Sequence, residues 1–173
     1  MGVVDELVQG REAFDQRAWG VAVERLSAVD RRRLNQDDLL RLGLAAYLSG
    51  DQDSCVRELQ EAYRVALAAG ETLEAVRVAF WLGLVLLTSG EHAVGGGWVA
   101  RAYRLLQDEP EDVVERGYLL IHEMHRHIGQ GDFQAALEIA PQIAHYGREF
   151  GDANLVAMGL SGQGRLLMYA GQV

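Results

Sequence analysis

The sequence predicts an all-α fold built from antiparallel helix pairs, and three observations lead to this fold class. Ala, Leu, Glu, Arg and Gln fill the segments between glycines, and Pro110 and Pro141 are the only prolines in 173 residues. This composition favours helix over strand. No alternating run of apolar and polar residues has the length of a useful strand. Turn signals also recur at a constant period, which indicates structural repeats.

Two interleaved series of turn signals punctuate the chain, each with a period of 40 or 41 residues. A turn glycine next to an acidic or polar residue suits the end of one helix and the beginning of the next. Two series with one period predict two helices per repeat. The first series has Gly50, Gly90, Gly131 and Gly171, and the second has Gly70, Pro110 and Gly151.

The segments between these turns predict nine helices in a single domain, residues 1–173. Asn35 is the expected N-cap of the third helix, with Asp37 and Asp38 in its first turn. The fifth repeat is incomplete, so we expect the apolar face of the ninth helix to be covered by a further segment or by self-association. The helices are predicted near residues 3–15, 18–30, 36–49, 52–69, 72–88, 91–107, 111–129, 132–149 and 152–170, and the repeats near 3–30, 36–69, 72–107, 111–149 and 152–173.

A glycine recurs seven residues before the turn position in the first helix of the pairs. A glycine inside a helix costs roughly 0.5–1 kcal/mol relative to alanine. Its recurrence therefore predicts that two helix backbones approach too closely for a side chain. The recurrent residues are Gly43, Gly83 and Gly164, with Gly10 before Arg17 in a degenerate first copy and Met124 in place of glycine in the fourth.

The second helices show a matching pattern of small, apolar, and small or apolar residues at positions five, nine and twelve after the turn, as in Cys55, Leu59 and Ala62. Together with the pairs Leu42-Gly43 and Leu82-Gly83, this pattern resembles the tetratricopeptide repeat. The resemblance implies a right-handed superhelix whose first helices line a concave groove. The chain departs from the family in its longer period, since the family repeat has about 34 residues, and in lacking most of the prolines that follow the second helix.

Several segments, among them Arg11-Glu12-Ala13-Phe14, residues 24–30 and residues 96–102, look like the helical-repeat region of actinobacterial LuxR-type transcriptional regulators. In that family such a region normally precedes a C-terminal helix-turn-helix. No basic recognition helix follows Gly151 in this sequence. The resemblance implies a sensory or protein-interaction segment of a regulator.

Superimposing the repeats on Gly43 predicts which first-helix residues point into the groove. Their aromatic and arginine side chains suit an amphipathic helix or an extended peptide with acidic groups. A small apolar or acidic ligand is the alternative occupant, and packing between helices is a further explanation of the same residues. The predicted groove residues are Arg11, Tyr47, Arg77, Phe80, Tyr118, His125, Arg165 and Tyr169, and Leu166 and Leu167 are the predicted self-association residues.

Charge and composition restrict the partners and the compartment. The net charge of −9 and a pI near 5.0 oppose binding to nucleic acids and anionic membranes. No apolar run approaches the roughly 18 residues of a membrane span. The single cysteine, Cys55, excludes an intrachain disulfide and favours a reducing cytoplasm. We therefore expect a cytoplasmic protein that binds proteins or itself.

Catalytic and metal-binding motifs receive no support from the sequence. His122 and His125 share a helix face, but a zincin needs the second histidine at position 126, which is Arg126. The triple glycine at 95–97 follows no strand and precedes no Lys-Ser or Lys-Thr pair, so close helix packing explains it better than a phosphate loop. The sequence predicts a protein that is not an enzyme and needs no metal or cofactor.

Overall fold

The computed structural model describes residues 3–169, with side chains for residues 6–169. Every regular element in this range is helical, which confirms the all-α prediction. Two 3₁₀ turns, at Arg31–Arg33 and Leu106–Asp108, accompany nine α-helices. These are α1 (Val3–Asp15), α2 (Trp19–Ser27), α3 (Gln36–Leu48), α4 (Gln52–Ala69), α5 (Thr72–Thr88), α6 (His92–Leu105), α7 (Val114–Gly129), α8 (Phe133–Glu149) and α9 (Ala153–Tyr169).

The chain divides into two compact units, Met1–Trp98 and Val99–Val173, whose boundary falls inside α6. In the first unit, consecutive helices from α1 to α5 pack against one another, and α1 also contacts α3. In the second unit, α7 packs on α8 and α8 on α9, while α7 also reaches α9. Each unit is thus built from sequential helix hairpins, as the repeat pattern predicted.

The predicted turn glycines end the helices in the left-handed conformation. Gly50, Gly90 and Gly131 have φ of +88°, +90° and +77°, a region that glycine enters without steric cost. The following amide closes each turn, as where Asp51 N donates to Ala46 O at 2.9 Å, the bond of a Schellman cap. Arg17 has φ of 62°, which confirms that it takes the turn position of the degenerate first copy.

Side-chain caps begin several helices where the sequence predicted them. Asn35 Oδ1 accepts from Asp38 N at 2.8 Å, and Asp38 Oδ2 accepts from Asn35 N at 3.2 Å, a complete capping box. Asp51 and Asp132 accept from Ser54 N at 3.0 Å and Ala135 N at 3.1 Å. Hydrogen bonds from Ser54 lower the pKa of Asp51 below its ordinary value.

Two predicted boundaries were wrong by about three residues. The second helix ends at Ser27 rather than near 30, because Asp30 accepts from Arg32 N at 3.0 Å and starts a separate 3₁₀ turn. The seventh begins at Val114 rather than near 111. Its N-cap residue, Val113, is extended at φ −126° and ψ 142°, so helical backbone begins only after it.

The recurrent glycines of the first two repeats confirm the predicted close approach. A Cβ on Gly10 would lie 2.8 Å from Leu26 Cγ, and one on Gly43 would lie 3.0 Å from Leu59 Cγ and 3.3 Å from Cys55 O. Leu26 and Leu59 are fully buried and occupy the same position in their repeats. In both pairs a second-helix leucine therefore sits directly on a first-helix glycine.

Candidate interaction face on the ninth helix

The inner face of α9 packs tightly within the second unit. Leu155, Gly159, Gly162 and Leu166 are buried on this face. A Cβ on Gly159 would lie 2.5 Å from Ala144 N of α8, and one on Gly162 would lie 2.9 Å from the thioether of Met124 on α7. Gly159 thus allows close contact with the α8 backbone, and Gly162 leaves room for the Met124 side chain.

The opposite face of α9 is uncovered within the part of the chain that the structure describes. Leu160 is 48% exposed and Met168 is 59% exposed. A Cβ on Gly164 would meet no atom of the described residues within 4 Å beyond its own helical surroundings. Residues 157, 160, 164, 167 and 168 share this side because they are three or four residues apart. We call them the α9 outer face.

Three positions of the α9 outer face, residues 160, 164 and 167, match the buried positions 39, 43 and 46 of α3, whereas Met168 matches Tyr47, which is 39% exposed. In the repeat register, Leu160 matches Leu39 and Gly164 matches Gly43. Leu39 is only 2% exposed, and Gly43 is covered by Leu59 and Cys55 of α4. The centre of the α9 outer face is therefore a surface that is buried in α3, where α4 packs against the repeat glycine.

The composition of α9 is unusual for an exposed helix in this chain. Arg165 is its only charged residue in 17, although a quarter of the whole sequence is charged. The α9 outer face itself carries Ala157, Leu160, Gly164, Leu167 and Met168, with no charge among them. Depletion of charge at the centre of a patch is typical of protein interfaces.

The predicted groove residues of the first unit have diverse surroundings. Phe80 is fully buried and stacks edge-on against Trp81 at 5.0 Å between ring centroids, so it is a core side chain rather than part of an open surface. Arg11 is held by Asp38 at 2.6 and 2.8 Å. Arg77 is half-buried, and Tyr47 is 39% exposed.

The predicted residues of the second unit also divide between core and surface. Tyr118 is 4% exposed and donates to Asp152 Oδ2 at 2.7 Å, which makes it another core side chain. His125 Nδ1 lies 2.8 Å from Ile121 O of its own helix. Arg165 is exposed, and Tyr169, 61% exposed, lies 6.0 Å from the Phe133 ring.

The two predicted self-association residues lie on different sides of α9. Leu166 is 1% exposed and belongs to the inner face, because its spacing from Gly159 and Gly162 directs it toward the core. Leu167 is partly exposed and belongs to the α9 outer face. Leu160 and Met168 were missed, although each is four residues from Gly164 and so shares its side of the helix.

The His, Cys, Asp and Glu residues of the described part of the chain do not form a metal-binding cluster. No group of three His, Cys, Asp or Glu residues between positions 6 and 169 could hold a metal ion. Burial raises the pKa of Cys55 to about 12, so its thiol is a poor nucleophile at neutral pH. No helix within residues 3–169 is both long and apolar enough to cross a bilayer.

Comparison with known proteins adds no identification. No protein-family model matches this chain, and a search among curated proteins found no match. Function must therefore be inferred from the fold and from the surfaces it exposes.

Proposed function

We propose that this chain is a non-catalytic interaction module of tetratricopeptide-like helix pairs, arranged as a right-handed superhelix, and that it self-associates through the α9 outer face. One observation carries the proposal. Gly164 is open and flanked by exposed Leu160 and Met168, whereas the equivalent glycines Gly10 and Gly43 each carry a buried leucine. The occupant that fits is a helix that places a large apolar side chain on Gly164.

A second copy of α9 supplies such a helix in an antiparallel pair. The two helices run in opposite directions, so each step forward along one helix is a step back along the other. If Leu160 faces Gly164 of the second copy, Ala157 therefore faces its Leu167. Two-fold symmetry repeats both contacts. Each leucine then meets a small residue, which reproduces the contact between Leu59 and Gly43 inside the chain.

The electrostatics of the chain agree with this apolar contact. Two copies with a net charge of −9 each repel one another at long range, but salt screens this repulsion beyond about 8–10 Å. The α9 outer face brings no charged side chain into the contact. Association therefore buries apolar area without burying an unpaired charge.

The oligomeric state tests the proposal directly. Sedimentation velocity of the intact chain over a concentration series should show a mass rising from 19.1 kDa toward twice that value. Leu160→Glu should keep the chain monomeric because it places a carboxylate against the apolar α9 of the second copy. Val21→Glu is the matched control, since Val21 on α2 is equally exposed at 46% but lies outside the α9 outer face.

A large-to-small exchange tests the register. Leu160→Gly alone should abolish association, and so should Gly164→Leu alone. The double variant Leu160→Gly/Gly164→Leu should restore it, because the introduced leucine would then face the introduced glycine of the second copy. A monomer at every concentration, or a double variant no better than the single ones, would overturn the antiparallel pairing.

The LuxR-type resemblance favours a regulatory setting for such a module. In that setting the chain is the sensory or regulatory part of a bacterial transcriptional regulator, and self-association brings two regulators together. The coding sequence downstream of Val173 tests this setting. An in-frame helix-turn-helix would support it, and a stop codon at that point would contradict it.

A further inference from the structure

The second unit contains a cleft of about 400 Å³, formed by side chains that self-association does not use. Its walls come from the end of α6, the 3₁₀ turn at Leu106–Asp108, and helices α7 and α8. Pockets for small ligands commonly measure roughly 300–1,000 Å³ and combine apolar walls with a few placed polar groups. The size of this cleft therefore suits a small molecule.

The walls of the cleft are apolar and aromatic. Leu119 and Leu120 of α7 line it, together with the rings of Tyr103 and Tyr146. The Tyr103 hydroxyl donates to Leu119 O at 3.4 Å, and burial, reinforced by nearby Glu123, raises the pKa of Tyr103. Tyr103 therefore remains a neutral phenol at physiological pH, and its ring offers a flat wall to an apolar body.

Arg116 provides a fixed cation at one end of the cleft. Its Nε donates to Pro110 O at 3.1 Å, and its Nη2 donates to Leu106 O and Glu109 O at 3.1 and 3.0 Å. These bonds orient the guanidinium and use three of its five N–H groups. No acceptor among the described residues takes a hydrogen bond from Nη1, so this edge is available to a ligand anion.

Glu123 provides an acceptor farther along the same helix. It lines the cleft and is only loosely paired with Arg126, at 3.9 Å. Arg116 and Glu123 are seven residues apart on α7, which corresponds to about 10 Å along the helix axis. On α8, Gln142 Nε2 donates to Glu138 O at 3.0 Å, which leaves its amide oxygen as a second acceptor.

We propose that this cleft binds a small molecule with an apolar, preferably aromatic, body that carries a carboxylate at one end and a hydrogen-bond donor at the other. The carboxylate accepts from Arg116 Nη1, and the donor group, about 10 Å away, binds the carboxylate of Glu123. The tyrosine rings and leucines enclose the body between them. The site is independent of the α9 outer face, so the ligand can bind whether or not the chain self-associates.

A probe of matched length tests the proposal by isothermal titration calorimetry with the intact chain. The compound 4′-hydroxybiphenyl-4-carboxylate has a rigid apolar body with the two required groups at its ends. Biphenyl-4-carboxylate, which lacks the hydroxyl, should bind about tenfold more weakly, and 4-hydroxybiphenyl, which lacks the carboxylate, should also bind about tenfold more weakly, the usual scale for a charged hydrogen bond.

Protein variants locate each contact. Glu123→Gln should weaken the full probe and remove most of the advantage of its hydroxyl. Arg116→Gln should remove the advantage of its carboxylate, and a thermal melt of this variant shows whether the turn at Leu106–Asp108 is retained. If Arg116→Gln unfolds the unit, Glu123→Gln by itself still tests whether the probe occupies the cleft. Gln134→Ala is the control, because Gln134 is exposed on α8 and does not line the cleft.

Two results would overturn the proposal. One is the absence of saturable binding of the full probe. The other is that removal of the hydroxyl from the probe weakens binding to Glu123→Gln as much as it weakens binding to the wild type, since this would place the hydroxyl away from Glu123.

Discussion

Helices α3 and α9 occupy the same position in their repeats, yet α3 is covered on two sides and α9 on only one. In α3, Leu39 and Ala46 are 2% and 1% exposed, and Gly43 is in contact with α4. In α9, the matching Leu160 is 48% exposed, and a Cβ on Gly164 would meet no described atom within 4 Å beyond its own helical surroundings. The same glycine that permits close packing in α3 is therefore free to accept a helix in α9.

The inner sides of the two helices differ as well. Asp38 in α3 and Gly159 in α9 both lie five residues before the repeat glycine. Asp38 is fully buried and is held to α1 by Arg11, whereas Gly159 brings α9 against the α8 backbone. One repeat position can thus hold a helix to an earlier helix, either by a buried ion pair, as in α3 and α1, or by direct backbone contact, as in α9 and α8.

The backbone contact of α9 gives the largest expected effect. Gly159→Ala places a Cβ 2.5 Å from Ala144 N and 3.0 Å from Ala140 O, and backbone atoms cannot move aside easily. We expect the free energy of unfolding to fall by about 3 kcal/mol. Urea denaturation followed by circular dichroism measures this free energy of unfolding. A variant as stable as the wild type would show that α8 and α9 are farther apart than described.

The ion pair of α3 gives the next largest effect. Arg11→Ala removes two hydrogen bonds, at 2.6 and 2.8 Å, from the fully buried carboxylate of Asp38. A buried charge that loses its closest partner is costly, but Asp38 keeps the Asn35 N–H at 3.2 Å and Arg41 at 4.0 Å, and Arg11 is itself 39% exposed. We therefore expect a loss of about 2 kcal/mol. The exposed Arg64, paired with Glu61, provides the control, because Arg64→Ala removes only a solvent-screened surface pair and should leave the stability almost unchanged.

Gly43 tests the covered face of α3. A Cβ at this position lies 3.0 Å from the buried side chain of Leu59 and 3.3 Å from Cys55 O. Alanine gains roughly 0.5–1 kcal/mol of helix propensity, but Leu59 is fully buried and has little room to move. We expect Gly43→Ala to lower the free energy of unfolding by about 1 kcal/mol. A gain in stability measured by thermal denaturation would mean that α3 and α4 are not in close contact.

The sequence predicted the helices well because the residues that begin and end each helix act locally. A left-handed turn needs glycine, and a helix start needs a cap, so Gly50, Gly90 and Asp51 can be recognised without knowing what surrounds them. The period then places every repeat in register, including Gly10 before Arg17. These features depend on single residues and their immediate neighbours.

The candidate sites could not be predicted in the same way because they depend on which faces remain uncovered. Phe80 and Tyr118 share a repeat face with groove residues, but both are buried. Leu166 and Leu160 are equally apolar, and only the packing of α9 on α8 and α7 separates an inner leucine from an outer one. The cleft at Arg116 requires the carbonyls of the 3₁₀ turn, whose position no periodicity encodes.

Gly164→Ala gives the smallest effect on folding and the sharpest comparison with Gly43. Because a Cβ at Gly164 meets no described atom within 4 Å, alanine should raise the stability of the monomer by about 0.5–1 kcal/mol through helix propensity alone. In an antiparallel pair the same methyl group would press against Leu160 of the second copy. Thermal denaturation at low concentration should therefore show an increase in Tm, while sedimentation should show weaker association. A variant that destabilises the dilute monomer would mean that the α9 outer face is already covered by its own chain, and the contrast with α3 would not hold.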